Sequence, residues 1–241
     1  MKKHIFFILG TLMGATLMAQ PAKVLKQTET SARIRFVAPA MQVSTIQANG
    51  TTYDQLTLEG FRQSNQIGKP SLPVYSRIIE VPLCAKVSVK TSTPQWRELE
   101  SPMRHRVIPV QPDRRKSDTS SAIWQQDPKV YSSDTYWGDD ALVRVEMIGV
   151  ARDRNLARIT YSPLRYNPVA GKVMVNDSVD VDLIFEEADL AATYRMKQMH
   201  HSLGFGIQSD LLLEQPASKD AITNVAPIRY VIVCYSGFRG Q

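Results

Sequence analysis

The side chains able to carry nucleophilic chemistry are two cysteines, Cys84 and Cys234, and four histidines, His4, His105, His200 and His201. A cysteine nucleophile needs a base such as imidazole within hydrogen-bond reach. Cys84 with His105 is a conceivable pair, but nothing in the surrounding sequence marks either residue as catalytic. We therefore predict that this chain holds no assembled catalytic site.

Both cysteines lie in apolar, strand-like runs, which favours buried and unreactive thiols. In an oxidising compartment Cys84 and Cys234 could instead form a disulfide. Sequence spacing does not give the short Cα separation that such a bond requires, so this alternative stays open.

Metal and cofactor sites are not predicted either. His200 and His201 are adjacent, and adjacent residues point about 100° apart on a helix. No cysteine pair has the spacing of a zinc site. Asp180 and Asp182 alternate with apolar residues and are interpreted as the solvated face of a strand. Asp139-Asp140 is interpreted as part of a turn.

The densest cationic run is Arg114-Arg115-Lys116, which lies beside Asp113, Asp118 and several serines. This composition indicates an exposed loop. The 29 basic and 23 acidic residues give a net charge of +6, but the basic residues are scattered along the chain. Nucleic-acid binders usually cluster them on one element, so no nucleic-acid partner is predicted.

The elements that would position these groups are mostly short strands. Seven segments alternate apolar and polar residues with period two, as a half-buried strand does: Ala32–Val37, Tyr53–Leu58, Lys86–Lys90, Leu142–Ile148, Arg158–Tyr161, Lys172–Val175 and Val179–Phe185. Turn residues separate them, which favours a β-sandwich or a barrel.

Other local signals complete the pattern. Asn49-Gly50 predicts a two-residue hairpin turn, and Leu164–Tyr166 with Lys172–Val175 predicts a second hairpin. Gly68-Lys-Pro70 breaks the chain before an apolar run, and Ser101–Ser133 is interpreted as a long loop or a strand flanked by loops. Asp189 could cap a short surface helix up to Ser202.

Residues 1–19 have the layout of a secretory signal peptide, with Lys2 and Lys3 before the apolar run Ile5–Met18 and a cleavage point between Ala19 and Gln20. The run is too short to span a bilayer. We expect an exported protein of net charge +4, located in the periplasm, at the cell surface or outside the cell. We expect no membrane association after cleavage.

The end of the chain differs from the rest. Ile228–Tyr235 is almost entirely apolar and β-branched, as in a strand buried on both faces of a parallel sheet. Residues 215–227 resemble a linker. We expect the chain to stop where a second domain would start.

Three stretches together resemble the gingipain-type, or C25, cysteine peptidase precursors: Gly68–Pro82, Tyr161–Val173 and Arg229–Phe238. The first two are similar to segments of the family's propeptide. The third is similar to the first strand of its catalytic domain. The resemblance covers nearly the whole chain from Gln20 onward.

The resemblance implies a mainly β fold, an antiparallel, jelly-roll-like β-sandwich prodomain with a short helix near its C-terminal side. It also implies four segments: 1–19 as signal peptide, 20–214 as propeptide, 215–227 as linker and 228–241 as the first strand of a truncated peptidase domain. The implied partner is the cognate cysteine peptidase domain, which the propeptide would keep latent and help to fold.

In family members that cleave after Arg or Lys, a basic propeptide side chain fills the specificity pocket. The candidates here are Arg114, Arg115, Lys116 and Lys129, and all four could equally be ordinary surface charges. Two alternatives remain at this point: a free-standing secreted β-sandwich that binds a protein or glycan, and, more remotely, a small hydrolase using Cys84.

Overall fold

The computed structural model describes residues 20–113, 123–200 and 213. Strands dominate these residues. In chain order the elements are β1 (Ala22–Gln27), β2 (Ser31–Val37), β3 (Gln42–Ala48), β4 (Thr51–Thr57), β5 (Arg62–Gln63), β6 (Pro73–Val81), β7 (Lys86–Thr91), β8 (Trp96–Glu98), α1 (Pro128–Tyr131), β9 (Val143–Ala151), β10 (Arg154–Tyr161), β11 (Leu164–Asn167), β12 (Lys172–Asn176), β13 (Ser178–Glu186) and α2 (Leu190–His200).

Two four-stranded antiparallel sheets form the main sandwich. One has the strand order β1-β2-β13-β7 and the other β5-β6-β10-β9. A three-stranded sheet, β11-β12-β8, and the hairpin β3-β4 stand beside them. This architecture confirms the predicted mainly β class and the antiparallel sandwich with a short helix near its C-terminal side.

Along β2 and β13, apolar and charged side chains alternate between the buried face and the exposed face of the first sheet. Ile34 pairs with Val181 in the ladder, and both side chains are buried. On the opposite face Arg33 donates two hydrogen bonds to the carboxylate of Asp182, at 2.6 and 2.8 Å. Arg35 and Asp180 repeat this arrangement. The predicted solvated face is therefore present, and its charges are paired across the strands.

Aromatic rings fill the space between the two sheets. Phe36 from the first sheet stacks on Tyr161 from the second, with ring centroids 5.2 Å apart. Tyr75 packs against Phe36, and Phe61 packs against both Tyr75 and Tyr161. The hydroxyl of Tyr161 donates to the carbonyl of Asn176 at 2.7 Å, so its polar end is satisfied inside the core.

A second, smaller core lies beside the sandwich under the β3-β4 hairpin and the β11-β12 hairpin. Its fully buried members include Leu56, Val107, Leu164 and Val173. Both hairpins agree with the sequence prediction: β3 and β4 meet at Ala48 and Thr51, and β11 pairs with β12. Asn49 and Gly50 have φ of 47° and 70°, the positive values that a two-residue hairpin turn requires.

The prediction of a buried Cys84 is wrong. Cys84 is exposed and has φ of 60°, in the tight connection between β6 and β7. Its neighbour Ala85 takes the buried position in the core, so the turn directs the thiol outward. Cys234, and with it the open question of a disulfide, lies outside the described residues.

The C-terminal side of the described structure packs back onto the sandwich. Asp189 caps α2 as predicted, accepting a hydrogen bond from the backbone N–H of Ala192 at 2.8 Å. Beyond the helix, Leu213 is buried in the main core, and its N–H donates to the carbonyl of Ile78 at 3.0 Å. Within the described ranges, neither helix is long and apolar enough to cross a membrane.

Candidate functional site

The basic run at residues 114–116 is flanked by described segments that belong to one structure beside the second core. We call this structure the loop platform, defined as residues 68–71, 105–111 and 124–131. The stretch 106–110 runs between β4 and residues 68–71 and exchanges backbone hydrogen bonds with both. Ile108 donates to Asp54 at 3.0 Å, while Ser71 donates to Ile108 at 2.9 Å. Of the described residues in 101–133, none belongs to a named strand, but helix α1 interrupts the predicted loop.

Asp54 of β4 holds the beginning of the platform. Its carboxylate is almost fully buried and accepts the backbone N–H of His105 at 2.9 Å. Its other oxygen lies 3.0 Å from Nδ1 of the same histidine. His105 is thus committed to a structural pair, and no hydrogen bond joins it to Cys84 within the part of the chain that the structure describes. The Cys84–His105 nucleophile is not assembled.

Gly68 brings three parts of the platform together. Its N–H donates to the carbonyl of Val110 at 2.8 Å, and its carbonyl accepts the N–H of Asp127 at 2.9 Å. The residue has φ of +77°, and a Cβ placed on it would lie 3.3 Å from the nitrogen of Asp127. Glycine is therefore required here both for its backbone conformation and for the close approach of the returning chain.

The carboxylate of Asp127 fixes the point where the chain returns. One oxygen caps α1 by accepting the N–H groups of Lys129 and Val130, at 2.9 and 3.3 Å. The other oxygen forms an ion pair with Lys69. The Lys69 ammonium, together with these backbone donors, holds the pKa of the Asp127 carboxyl below its ordinary value.

The side chain of Gln111 closes the base of the loop. Its amide nitrogen donates to the carbonyl of Gln125 at 2.7 Å, and its amide oxygen accepts the N–H of Gln125 at 3.0 Å. The Gln111 side chain thereby pairs with both the N–H and the carbonyl of Gln125, in the segment where the chain leaves the loop. The two ends of residues 112–124 are held at a fixed separation.

Aromatic side chains attach the platform to the second core. Tyr131 of α1 donates to the carbonyl of Val107 at 2.7 Å, and Val107 donates to the hydroxyl of Tyr166 at 3.3 Å. Burial raises the pKa of Tyr131 well above its ordinary value, so its hydroxyl stays a donor across the usual pH range. On the outer side, Tyr53 packs on the ring of Trp124 with centroids 5.6 Å apart.

The sequence-predicted inhibitory residues fall on both sides of the described boundary. Arg114, Arg115 and Lys116 lie outside the described residues, between Asp113 and Ile123. Lys129 is described: it is exposed in α1, and none of the ion pairs between described residues involves it. Of the predicted cleavage pair, Ala19 lies outside the described residues and Gln20 is exposed.

Two apolar side chains stand exposed beside the platform. Ile123, at the point where the chain returns, is 84% exposed, and Ile67, which precedes Gly68, is 50% exposed. Neither belongs to either core. Trp124 also has an indole nitrogen that is buried and has no hydrogen-bond partner among the described residues.

No group of three or more His, Cys, Asp or Glu side chains in residues 20–113, 123–200 and 213 is arranged to hold a metal ion. Asp180 and Asp182 are paired with arginines instead. His201 lies outside the described residues.

Sequence reasoning missed the residues that build the platform. The sequence analysis interprets Gly68-Lys-Pro70 as a chain break and as the start of the family-like stretch Gly68–Pro82, but assigns it no part in holding a loop, and Gln111 and Asp127 carry no recognised signal. The one available clue was Gly68, because a glycine in a polar turn indicates positive φ or close backbone contact. Helix α1 was likewise not predicted, although Asp127-Pro128 has the residue types of a helix start.

Comparison with known proteins supplies the family context. The family model Propeptide_C25 matches residues 15–201. Lys-gingipain and Lys-gingipain HG66 of Porphyromonas gingivalis are 25% and 24% identical to the chain over 261 and 258 residues. Each alignment covers 99% of this chain and 15% of the relative, so the chain spans about 15% of the length of these curated relatives.

Two solved structures share the fold. One, described as structural insight into the zymogenic latency of gingipain K from Porphyromonas gingivalis, matches with a TM-score of 0.63 at 21% identity, over 69% of this chain and 93% of that one. The other, a complex of the Porphyromonas gingivalis RgpB pro- and mature domains, matches with a TM-score of 0.60 at 14% identity, over 75% and 96%.

Proposed function

This chain belongs to the C25 propeptide family, and we propose that it is the propeptide region of a secreted cysteine endopeptidase precursor. Its role would be to keep the peptidase domain latent and to assist its folding. The family match over residues 15–201 carries the proposal. The likeness to the prodomain of a zymogen and to a prodomain bound to its mature domain supports the same partner for this chain.

The inhibitory element is proposed to be the loop whose ends the platform holds. A pocket that accepts an arginine or lysine side chain binds a cation through charge-assisted hydrogen bonds. Arg114, Arg115 and Lys116 lie between the two fixed ends, at Gln111 and Gln125. Lys129 is the remaining candidate, presented from α1 without a partner among the described residues.

A propeptide gains affinity when its inhibitory segment is ordered before binding, because less conformational entropy is lost on association. The platform supplies such order at both ends of the loop through the Gln111 clamp and the Lys69–Asp127 pair. The exposed Ile123 next to the loop suits an apolar contact with the same partner.

The proposed segments are a signal peptide over 1–19 cleaved between Ala19 and Gln20, a propeptide over 20–214, a linker over 215–227 and the start of the peptidase domain at 228. The buried position of Leu213 supports a propeptide boundary after this residue, since a side chain in the main core belongs to the domain whose core it fills. Export follows from the proposed signal peptide.

The test of latency is a titration of mature Lys-gingipain and mature RgpB with the purified chain. We expect loss of peptidase activity at stoichiometric amounts for at least one of the two enzymes. The matched control is the Cys84→Ser variant, which should inhibit equally well because the exposed thiol is not part of the platform. Full activity of both enzymes at excess chain would contradict the proposal.

The two candidate cation positions are separated by comparing Lys129→Ala with the triple variant Arg114→Ala/Arg115→Ala/Lys116→Ala. If the loop fills the pocket, the triple variant loses inhibition and Lys129→Ala keeps it. The reverse outcome would assign the inhibitory cation to α1.

A further inference from the structure

The outer face of the three-stranded sheet β11-β12-β8 carries an arginine whose side chain is held in place by its neighbours. The residues that alternate with Arg165 and Met174 along β11 and β12 are buried in the second core, so these two side chains lie on the opposite face. They stand side by side, because Arg165 pairs with Met174 in the ladder. The guanidinium carbon of Arg165 lies 4.6 Å from the centroid of the Trp96 ring of β8. This distance is that of a cation–π contact.

The backbone of Gly138 packs closely on the stem of the same arginine. The chain at Trp137 adds to the edge of β11, since Trp137 and Tyr166 exchange two backbone hydrogen bonds of 2.8 Å. A Cβ placed on Gly138 would lie 3.1 Å from Cγ of Arg165 and 3.0 Å from the carbonyl oxygen of Leu164. The stem of Arg165 therefore has little room to move, and its charged end is presented in a restricted orientation.

Arg165 is the described arginine that combines partial burial with the lack of an acidic partner. Among the described residues only Arg154 and Arg165 are half-buried, whereas the other arginines are exposed. Arg154 lies 3.8 Å from the carboxylate of Glu80. None of the ion pairs or side-chain hydrogen bonds within residues 20–113, 123–200 and 213 involves Arg165. A guanidinium that is partly removed from water without a carboxylate is costly, so this position suits the arrival of one.

The neighbouring charges are already paired with each other. The carboxylate of Glu98 lies 2.8 Å from the Lys172 ammonium and also accepts the hydroxyl hydrogen of Tyr136. Around Arg165 the half-buried side chains are of the types that are enriched in the cores of protein–protein interfaces. We call these residues the arginine patch: Trp96, Tyr136, Arg165 and Met174.

The size of a stable interface requires a contact beyond the basic loop. One fold relative is a prodomain in complex with its mature domain. Stable complexes bury about 800 Å² on each partner, or about 20–30 residues a side. A single loop over residues 112–124 supplies fewer residues than that. A second surface of the propeptide is therefore needed, and the arginine patch has the composition for it.

We propose that the arginine patch is a second contact surface for the peptidase domain, in which Arg165 forms a bidentate ion pair with an Asp or Glu side chain of that domain. The inference rests on the proposed function and adds the chemistry of a second contact to it. The fork of a guanidinium matches the two oxygens of a carboxylate. Because Trp96 and Gly138 already restrict the arginine, less side-chain entropy is lost when the partner binds.

The first test compares Arg165→Met with Arg158→Met in the full chain. Methionine removes the charge and keeps an unbranched stem against Gly138. Arg158, an exposed arginine of β10, is the matched control because its substitution removes the same charge. The measurement is the inhibition constant against mature Lys-gingipain and mature RgpB, with the melting temperature of each variant.

For Arg165→Met we expect inhibition weakened by about tenfold or more at an unchanged melting temperature. Arg158→Met should stay within about twofold of the wild type. Equal weakening by the two variants would overturn the inference, because net charge alone would then explain the loss. Undiminished inhibition by Arg165→Met would overturn it as well.

Amine labelling of the wild-type chain tests the same surface without any substitution. Lys172 lies on the outer face of β12, next to Met174, and Lys86 lies on β7. Each forms a 2.8 Å ion pair with a glutamate, so the two lysines are a matched pair. We expect an excess of mature peptidase to slow the acetylation of Lys172 and to leave that of Lys86 unchanged. Equal labelling of Lys172 with and without peptidase would contradict the proposed contact.

The outcomes separate this inference from the function on which it rests. If the wild-type chain inhibits neither peptidase, the proposed function fails, and the second contact fails with it. If the wild-type chain inhibits and Arg165→Met inhibits equally well, the arginine patch alone is overturned and the proposed function stands.

Discussion

The sandwich and the loop platform are stabilised in different ways. In the sandwich, long antiparallel ladders such as β10 with β6 and β9 pair backbone with backbone, and apolar side chains fill the interior. The platform also has backbone–backbone hydrogen bonds, but here side chains add bonds to backbone groups, as Gln111 does to Gln125 and as Asp127 does to the first turn of α1. Many sequences with the same alternation of apolar and polar residues could form the sandwich, whereas the platform requires particular residues at particular positions.

We therefore expect the two regions to respond differently to substitution. A change in the sandwich should lower the free energy of unfolding of the whole domain. A change in the platform should alter how the loop is presented while most of the core contacts remain. The following variants are chosen to test this separation, beginning with the largest expected effect.

Phe36→Ala removes a fully buried ring that stacks on Tyr161 between the two sheets. Loss of its contacts and the resulting cavity should lower the free energy of unfolding by about 3–5 kcal/mol. Urea denaturation measures the effect. The matched control is Val43→Ala on the exposed face of β3, where the change should stay within about 0.5 kcal/mol. Similar losses for the two variants would contradict the assignment of the main core.

Gly68→Ala tests the platform through its backbone. The substitution combines an unfavourable φ of +77° with a Cβ only 3.3 Å from the nitrogen of Asp127. We expect a cost of about 1–3 kcal/mol and faster hydrogen exchange at Asp127. Gly50→Ala is the control, because it has a similar φ of +70° but open space around its Cβ. If Gly50→Ala costs as much as Gly68→Ala, the close approach at the platform contributes nothing.

Acidification should loosen the platform at the Lys69–Asp127 pair. Since the pKa of Asp127 is lowered in the folded protein, its ionised form stabilises the fold at pH values above the unfolded pKa of about 3.9. This contribution is lost as the pH falls through the folded value. The stability difference between the wild type and Lys69→Met should therefore be largest above about pH 5 and shrink below about pH 3. A stability difference between the wild type and Lys69→Met that grows on acidification would contradict this prediction.

The smallest effect is expected for the ion pairs on the outer face of the sandwich. Arg33 and Asp182 form a bidentate pair, but their side chains are 54% and 44% exposed. Lys69 and Asp127 are less exposed, at 29% and 28%. Double-mutant cycles at low salt and at about 1 M salt should show that the Arg33–Asp182 coupling is screened more strongly. Equal screening would remove this distinction between the two regions.

The same contrast explains what the sequence could predict. The alternation of Val179, Val181 and Leu183 predicts strand β13 because period two is a local property of the chain. Asn49-Gly50 predicts its hairpin turn for the same reason. These local signals, with the family resemblance, gave the antiparallel sandwich and the family to which the chain belongs.

The platform depends on contacts between residues far apart in the chain, which local patterns do not contain. The contact of Lys69 with Asp127 spans the whole loop, and Gln111 has no distinctive neighbours in sequence. The prediction that Cys84 is buried was wrong for a related reason. Its apolar neighbours in sequence indicate burial, but Cys84 has a positive φ in the turn after β6, which directs its side chain to solvent.

The central claim is that the sandwich supplies the stability and the basic loop on its platform supplies the inhibition. The most direct test is the inhibition constant of the triple variant Arg114→Ala/Arg115→Ala/Lys116→Ala against mature Lys-gingipain, with its melting temperature measured alongside. The account predicts inhibition weakened by about 100-fold or more at an unchanged melting temperature. A triple variant that inhibits as tightly as the wild type would contradict it.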